Sequence, residues 1–309
     1  MKIFLAGATG AIGRSLIPQL KEHGHEVIGT TRSEAKAGLI WDLGAQPVVL
    51  DALDRDAVVA AVAQTKPDAI VHELTSLTGV DFRRFEKSFE LTNRLRTEGT
   101  DNLLAAARAA GVERLVAQSY AGHPYARVGG PVKSEDDPLD PTPAPQMRST
   151  IEAIKYLERA VLDRGGIVLR YGGFYGPGTG LEPGGEQVEM ILKRRFPIVG
   201  EGRAVWSFVH IDDAAAATVI ALERAQPGTL YNIVDDEPAR VGEAFPYLAE
   251  VAGAKPPRHL PVWLARLFGE HMVVMMDEVR GASNAKARRE LGWEPRHASW
   301  RDGFREMLA

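Results

Sequence analysis

The sequence contains no cysteine, which excludes disulfide bonds, thiolate metal sites and a cysteine nucleophile. It also has no apolar run of membrane-spanning length and no excess of basic residues, since the net charge is −4 at pH 7. That charge gives no reason to expect nucleic acid or an anionic membrane as a partner. The 309 residues are 45% hydrophobic and 25% charged, which is ordinary for a globular protein with a large core. We therefore expect a cytoplasmic protein with a small-molecule substrate and no metal site.

The first 24 residues are typical of a strand, a glycine turn and a helix. An apolar run over residues 3–6 leads into three glycines spaced three apart, and an amphipathic helical pattern follows up to Gly24. The first glycine lets the chain turn sharply, the second lets the backbone approach a pyrophosphate, and the third lets helix and strand pack closely. The helix N-terminus then holds the anion. This context predicts a dinucleotide site with contacts from Gly7, Thr9, Gly10, Ala11, Ile12 and Gly13.

The end of the second predicted strand, residues 25–31, decides which dinucleotide is expected. An acidic residue there would bind the adenosine ribose 2′-hydroxyl and favour NAD. This sequence has Arg32 instead, and an arginine can pair with a 2′-phosphate through two parallel hydrogen bonds. We therefore expect NADP(H), with NAD(H) as the less favoured alternative. The other interpretation of Arg32 is a solvated surface residue that precedes a helix.

The chain goes on alternating strands with helices, which predicts an α/β fold of the Rossmann type, with a doubly wound parallel sheet. Strands are predicted at residues 45–50, 68–73, 112–120 and 166–171, and helices at 55–64, 83–110 and 147–163. Asp51, Ala52 and His72 follow or end the third and fourth strands, and Tyr171 and Gly173 end or follow the sixth. We expect these five residues to line the cofactor.

The composition changes at Gly172, where a loop rich in glycine begins, and a loop over residues 121–145 has the length that usually covers an active site. We expect a smaller C-terminal lobe that binds the substrate. The predicted division is an NADP(H)-binding domain at 1–171, joined by 204–235, and a substrate lobe at 172–203 and 236–309. Substrate contacts are expected from Tyr125, Phe174, Tyr175, Trp206 and His210.

Six motifs make the chain resemble the extended short-chain dehydrogenase/reductase superfamily, which includes sugar-nucleotide epimerases and dehydratases. They are GATGAIG at 7–13, GTDNLLAAARAAGV at 99–112, RLVAQS at 114–119, LRYGGFYGPG at 169–178, WSFVHIDDAAAA at 206–217 and AKARRELGWEP at 285–295. The resemblance covers nearly the whole chain. It implies a Rossmann fold, a bound nicotinamide dinucleotide, a substrate held between that fold and the C-terminal lobe, and a homodimer packed through the helices at 83–110 and 147–163.

The resemblance fails at the family's catalytic pair, a Tyr-x-x-x-Lys motif whose spacing places both side chains on one helix face. None of the seven tyrosines has a lysine four residues on. Matching Glu158 to the family's glutamate puts Thr150 at the tyrosine position and Ile154 at the lysine position. The family's serine position falls at or beside Tyr120, which Ser119 precedes.

Two interpretations follow from this departure. In the first, the protein is an oxidoreductase that reduces a carbonyl or an activated alkene, with Tyr120 as proton donor and Ser119 or a water chain supplying the proton. In the second, it binds NADP(H) as a sensor or scaffold, and Tyr120 is only a packed aromatic residue. Within enzymes, the alternative is a sugar-nucleotide epimerase or dehydratase. That reaction needs a cationic clamp for the diphosphate, and the candidates are Lys193, Arg194, Arg195 and Arg203.

Overall fold

The structure is a computed structural model that describes residues 1–77, 79, 81 and 84–308. Its strands are β1 Lys2–Ala6, β2 Glu26–Thr31, β3 Gln46–Val49, β4 Ala69–His72, β5 Arg114–Tyr120, β6 Val132–Lys133, β7 Ile167–Tyr171, β8 Gly173–Tyr175, β9 Ile198–Val199, β10 Val205–Trp206, β11 Phe208–His210, β12 Leu230–Ile233, β13 Ala239–Arg240, β14 His259–Leu260 and β15 Gly281–Ala282. Its α-helices are α1 Ala11–Glu22, α2 Ala37–Asp42, α3 Arg55–Thr65, α4 Phe85–Arg94, α5 Thr100–Ala110, α6 Arg148–Asp163, α7 Glu186–Leu192, α8 Ile211–Arg224, α9 Val241–Val251, α10 Val262–Ala265, α11 Glu270–Val273, α12 Ala285–Leu291 and α13 Trp300–Leu308.

Seven strands form one parallel sheet in the order β3-β2-β1-β4-β5-β7-β12. The strand order reverses between β1 and β4, where Leu5 pairs with Val71. Ligands of doubly wound sheets bind beyond the carboxyl ends of the strands at such a reversal. The sheet confirms the predicted α/β fold of the Rossmann type.

Helices cover both faces of this sheet, so its strands are buried on both sides and read as continuous apolar runs. On one face α1 and α8 pack on the sheet, and Trp293 joins the same core cluster. On the other face the packing comes from α3, α5 and α6. These two layers fix the strand ends that form the site.

A second core lies among the later elements and is rich in aromatic residues, including Phe196, Phe208, Phe245, Trp300 and Phe304. Short ladders connect its parts: β8 pairs with β11, β10 with β13 and β9 with β14. Phe85 of α4 belongs to the same cluster. The second core is therefore joined to the helices that follow β4. The exact division of the chain into two domains stays a prediction.

The helix predicted over residues 83–110 is interrupted in the structure. Residue 83 lies outside the described residues, and α4 and α5 are separated by a π-helical turn at Leu95–Gly99. Such a turn inserts one residue into the helix and is frequent at functional sites. No helix in the described ranges is both long enough and apolar enough to span a membrane.

Candidate active site

The glycine turn after β1 fits the pyrophosphate of a dinucleotide. Gly7 has a φ of +99°, and a Cβ atom there would lie 2.5 Å from the carbonyl oxygen of Glu73. A Cβ on Gly13 would lie 2.5 Å from the carbonyl oxygen of Gly7, so this glycine allows the helix to approach the turn. Exposed Gly10 begins α1 and no side chain caps the helix there. The first N–H groups of α1 are therefore open to an anion. Thr9 and Ala11 are half-buried beside them and Ile12 is buried.

The residues predicted for the adenosine half lie at two neighbouring strand ends, since Thr31 of β2 pairs in register with Val49 of β3. Arg32 follows β2, is exposed, and makes no ion pair within the described part of the chain. Asp51 is exposed after β3, and its Oδ1 accepts a hydrogen bond from the Leu53 N–H at 3.0 Å. The buried Ala52 accepts a hydrogen bond at its carbonyl oxygen from Asn102 Nδ2 at 2.9 Å.

His72 ends β4 with both ring nitrogens bonded inside the protein. The Leu74 N–H donates to Nδ1 at 3.2 Å, and Nε2 lies 3.0 Å from Thr100 Oγ1. The Thr100 hydroxyl itself donates to the Arg96 carbonyl oxygen, so Nε2 carries the proton and Nδ1 does not. Burial lowers the pKa of His72 to about 4, and the positive charge of Arg96 adds to this effect. His72 is therefore neutral at pH 7 and unsuited to act as a base, and its predicted contact with the cofactor stays a prediction.

Tyr171 ends β7 with its phenol bonded inside the protein. Its hydroxyl lies 3.1 Å from Glu73 Oε1 and 2.7 Å from Thr218 Oγ1. Burial raises the pKa of Glu73 to about 8, so this carboxyl is mainly protonated at neutral pH. The Phe174 ring packs on Tyr171 at 5.3 Å, and the Gly173 N–H donates to the Ser207 carbonyl oxygen at 2.8 Å. These groups lie together at the carboxyl end of β7.

A buried ion pair fixes the end of β5. Arg170 Nε and Nη2 donate to the two carboxylate oxygens of Glu158 at 2.7 and 2.6 Å, and Ser119 Oγ donates to Oε1 at 2.6 Å. The predicted substrate residue Tyr125 belongs to this network, because its hydroxyl donates to Asn232 Oδ1 at 2.6 Å and accepts from Arg170 Nη1 at 2.9 Å. The Ser119 hydroxyl thus donates its hydrogen bond to Glu158 in this structure. Its part in supplying a proton to Tyr120 stays a prediction.

Tyr120 is the last residue of β5 and differs from its buried neighbours. It is half-buried, and its hydroxyl has no hydrogen bond among the described residues. A Cβ on Gly122 would lie 2.2 Å from the phenol oxygen, so the absence of a side chain there leaves room for the ring. Burial raises the pKa of Tyr120 to about 12, and the charge of Arg96 opposes this rise. Tyr120 is therefore a hydrogen-bond donor and a poor base at neutral pH.

Two residues beside Tyr120 were not among the predicted site residues. The His123 ring lies 4.9 Å from the Tyr120 ring, and burial together with Arg96 lowers the pKa of His123 to about 3. Arg96 is 6% exposed on the π-helical turn, and burial lowers its pKa to about 10. His123 Nε2 and Arg96 Nη1 are buried without a hydrogen-bond partner in the described structure. In the sequence Arg96 is a charge inside the predicted helix at 83–110, and nothing in the loop over residues 121–145 marks His123.

Three other predicted substrate residues lie in the second core. Tyr175 is fully buried between His210 and Phe304, with ring separations of 5.2 and 5.3 Å. His210 caps α8 by accepting the Asp212 N–H at Nδ1, and its ring stacks on His297 at 3.8 Å. Trp206 donates from Nε1 to the Met275 carbonyl oxygen at 2.8 Å. The structure does not bring these side chains into ring contact with Tyr120, and their role as substrate contacts stays a prediction.

Residues 3–234 match the family model described as the NAD dependent epimerase/dehydratase family. The chain belongs to this family. A 3-diazoavenalumate denitrifying reductase from Streptomyces sp is 45% identical over 308 residues, which cover 98% of this chain and 99% of the relative. A 2-alkyl-3-oxoalkanoate reductase from Stenotrophomonas maltophilia is 29% identical over 267 residues, which cover 82% and 76% of the two chains.

Among solved structures, the dTDP-glucose 4,6-dehydratase from Streptomyces venezuelae with NAD and TYD bound is similar with a TM-score of 0.79 and 22% identity, over 100% of this chain and 96% of that one. This likeness shows the fold. The family and the 45% identical reductase confirm the resemblance inferred from the sequence motifs. They also make the chain an enzyme of the NAD(P)-dependent oxidoreductase type, which uses a nicotinamide dinucleotide and acts on a small molecule.

Proposed function

We propose that this enzyme is an NADPH-dependent reductase that transfers hydride to a carbonyl, an activated alkene or a similar polar multiple bond of a small organic substrate. The observation that carries the proposal is the Tyr120 hydroxyl at the carboxyl end of β5, which bonds to no described residue and lies beside neutral His123 and charged Arg96. The relatives' names support it, since one acts on a diazo compound and the other on a 3-oxoalkanoate, both as reductases.

The described residues support a simple division of work. The turn from Gly7 to Gly13 would hold the pyrophosphate, and Arg32 would pair with the adenosine 2′-phosphate. When bound, the reduced nicotinamide supplies the hydride. The Tyr120 hydroxyl donates a hydrogen bond to the oxygen on which negative charge develops and then transfers its proton there. A phenol with a pKa near 12 keeps that proton at neutral pH, which favours reduction over alcohol oxidation.

Epimerisation of a sugar nucleotide is the alternative within the family, and the predicted cationic clamp argues against it. Lys193 pairs with Glu189 at 2.5 Å, and Arg203 pairs with Asp277 at 2.5 Å. Arg194 donates from Nε to the Pro256 carbonyl oxygen at 3.0 Å. Three of the four candidate cations are thus bonded to protein acceptors, which a substrate diphosphate would have to displace, and only exposed Arg195 has no side-chain partner among the described residues.

We also propose a cytoplasmic homodimer. Its support is a groove of about 1210 Å³ between α4 and α6, lined by charged residues of both signs, at the helices that the family resemblance implicates in dimerisation. Light scattering after size-exclusion chromatography tests the dimer, and a monomeric mass at micromolar concentration contradicts it.

The test of the proposed reaction is NADPH oxidation with a panel of ketones, enones, diazo compounds and UDP-sugars. We expect turnover with at least one reducible class, and faster oxidation of NADPH than of NADH. Cofactor binding without any turnover would support the sensor interpretation instead. Interconversion of UDP-sugars without net cofactor oxidation would support the epimerase.

A further inference from the structure

Arg96 is a buried cation whose guanidinium has no protein acceptor in the described part of the chain. It is 6% exposed, its Nη1 is enclosed without a partner, and none of its side-chain N–H groups donates to a described residue. The π-helical turn Leu95–Gly99 places it there, and the Thr100 hydroxyl donates to its carbonyl oxygen at 2.7 Å. An unpaired buried charge costs several kcal/mol, so proteins normally pair such a group.

Glu158, the acidic residue whose charge acts on Arg96, is already paired. The charge of Glu158 acts on Arg96, but both Glu158 oxygens accept from Arg170, and one also accepts from Ser119. The other groups coupled to Arg96 are His72, Tyr120 and His123, which are neutral at pH 7 because burial shifts each pKa away from that value. No described neighbour therefore supplies the missing negative charge, and a bound anion is left as its source.

The surroundings of this cation identify the kind of anion. The rings of Tyr120 and His123 lie 4.9 Å apart, and the Phe85 ring lies 6.2 Å from His123. The Arg96 charge acts on both Tyr120 and His123, so these two rings lie near its guanidinium. Aromatic rings near a planar guanidinium suit a planar organic acid, since the arginine fork matches a carboxylate with two parallel hydrogen bonds. The pyrophosphate of the cofactor has its own site at the glycine turn after β1, whereas Arg96 lies with the residues that follow β4 and β5.

We infer that Arg96 binds the carboxylate of the substrate, which makes this enzyme selective for small planar organic acids. The inference rests on the proposed reductase function and names its substrate class. The carboxylate neutralises the buried charge of Arg96 and holds the substrate next to the rings of Tyr120 and His123. The reducible group then lies within reach of the Tyr120 hydroxyl.

The test is a binding measurement that needs no turnover. The enzyme saturated with NADP⁺ is titrated by calorimetry with cinnamate and with uncharged cinnamide, and then with matched pairs of benzoate and hexanoate and their amides. We expect at least one carboxylate to bind about tenfold or more tightly than its amide, the scale of one charge-assisted hydrogen bond. The Arg96→Met variant should lose this preference and keep its NADP⁺ affinity, and Arg96→Lys should keep part of the preference.

The control is Arg94→Met, which removes the same charge two residues away. Arg94 is exposed and pairs with Glu98 at 2.8 Å, so the carboxylate preference should not change. The inference is overturned if no acid of the panel binds better than its amide. It is also overturned if Arg96→Met weakens NADP⁺ and leaves the acid preference intact, because the anion is then a cofactor phosphate. A carboxylate preference without turnover on any substrate contradicts the proposed reaction and leaves the assignment of Arg96 standing.

Discussion

Arg170 donates two parallel hydrogen bonds to Glu158, from Nε to Oε1 at 2.7 Å and from Nη2 to Oε2 at 2.6 Å. Both side chains are buried. The pair connects β7 to α6, and through Ser119 it also holds the strand end next to Tyr120. The ion pair thus fixes the residue before Tyr120, the phenol that we propose as the proton donor.

Glu158→Gln should therefore destabilise the fold. The variant leaves the Arg170 charge buried without its partner, which typically costs about 3–5 kcal/mol. Urea unfolding followed by circular dichroism measures the loss. The control is Glu98→Gln, which breaks an exposed pair with Arg94 and should cost less than about 1 kcal/mol. Equal effects of the two substitutions would mean that the buried pair has no special weight.

Six of the seven strands of the central sheet were predictable because each contains a short apolar run, whereas β12 was not among the predicted strands. The predicted strands at 45–50, 68–73 and 166–171 correspond to β3, β4 and β7 within one or two residues. The buried position of the Arg96 side chain was not predictable. The π-helical turn changes the helix face on which the residue lies, and no residue pattern marks that turn. The phenols also look alike in the sequence. Tyr171 meets Glu73 across 98 residues and Tyr125 meets Asn232 across 107, so only the folded chain separates them from Tyr120.

Tyr120→Phe should lower turnover by roughly a hundredfold or more, the usual scale for loss of a general acid, and leave the NADPH affinity nearly unchanged. Steady-state kinetics on a verified substrate and fluorescence titration with NADPH measure the two quantities. Tyr156→Phe is the matched control. It removes a phenol on α6 that donates to Asp101 of α5 and is not among the predicted site residues, so it should spare turnover. Full activity of Tyr120→Phe would assign proton donation to another group.

Arg32→Glu should weaken NADPH binding by about 1.5–3 kcal/mol, the range for a hydrogen bond to a charged group. It should not weaken NADH binding, since an acidic residue at this strand end can bind the ribose 2′-hydroxyl. The physical reason is that exposed Arg32 follows β2 without a protein partner in the described chain and can pair with the 2′-phosphate. Calorimetric titration with both cofactors measures the difference. Lys21→Glu in the last turn of α1 makes the same charge change and should have little effect. Equal affinities of the wild-type enzyme for NADPH and NADH would refute the role of Arg32.

Glu73 should make the enzyme less stable as the pH rises from about 4.5 to about 8. Burial raises its pKa from the ordinary 4.5 to about 8, against the opposing hydrogen bond with Tyr171. Between pH 4.5 and about 8, the Glu73 carboxyl therefore stays protonated in the folded state and is ionised in the unfolded chain. The stabilisation is fully present below pH 4.5 and is lost as the pH rises through about 8, with a slope of about 1.4 kcal/mol per pH unit.

Glu73→Gln removes this titration, so the unfolding free energy of the variant minus that of the wild type should grow by about 1.4 kcal/mol per pH unit from pH 6.5 to 8. His72 and His123 do not obscure that window. Their pKa values fall from 6.5 to about 4 and about 3, so they lower the stability only as the pH falls below 6.5. Urea unfolding at a series of pH values measures the difference, with exposed Glu90→Gln on α4 as the control of equal charge change. If the curves of Glu73→Gln and the wild type run parallel, Glu73 is ionised in the folded enzyme. The Tyr171 hydroxyl would then donate the hydrogen bond to the Glu73 carboxylate. A protonated Glu73 would instead donate that hydrogen bond to Tyr171.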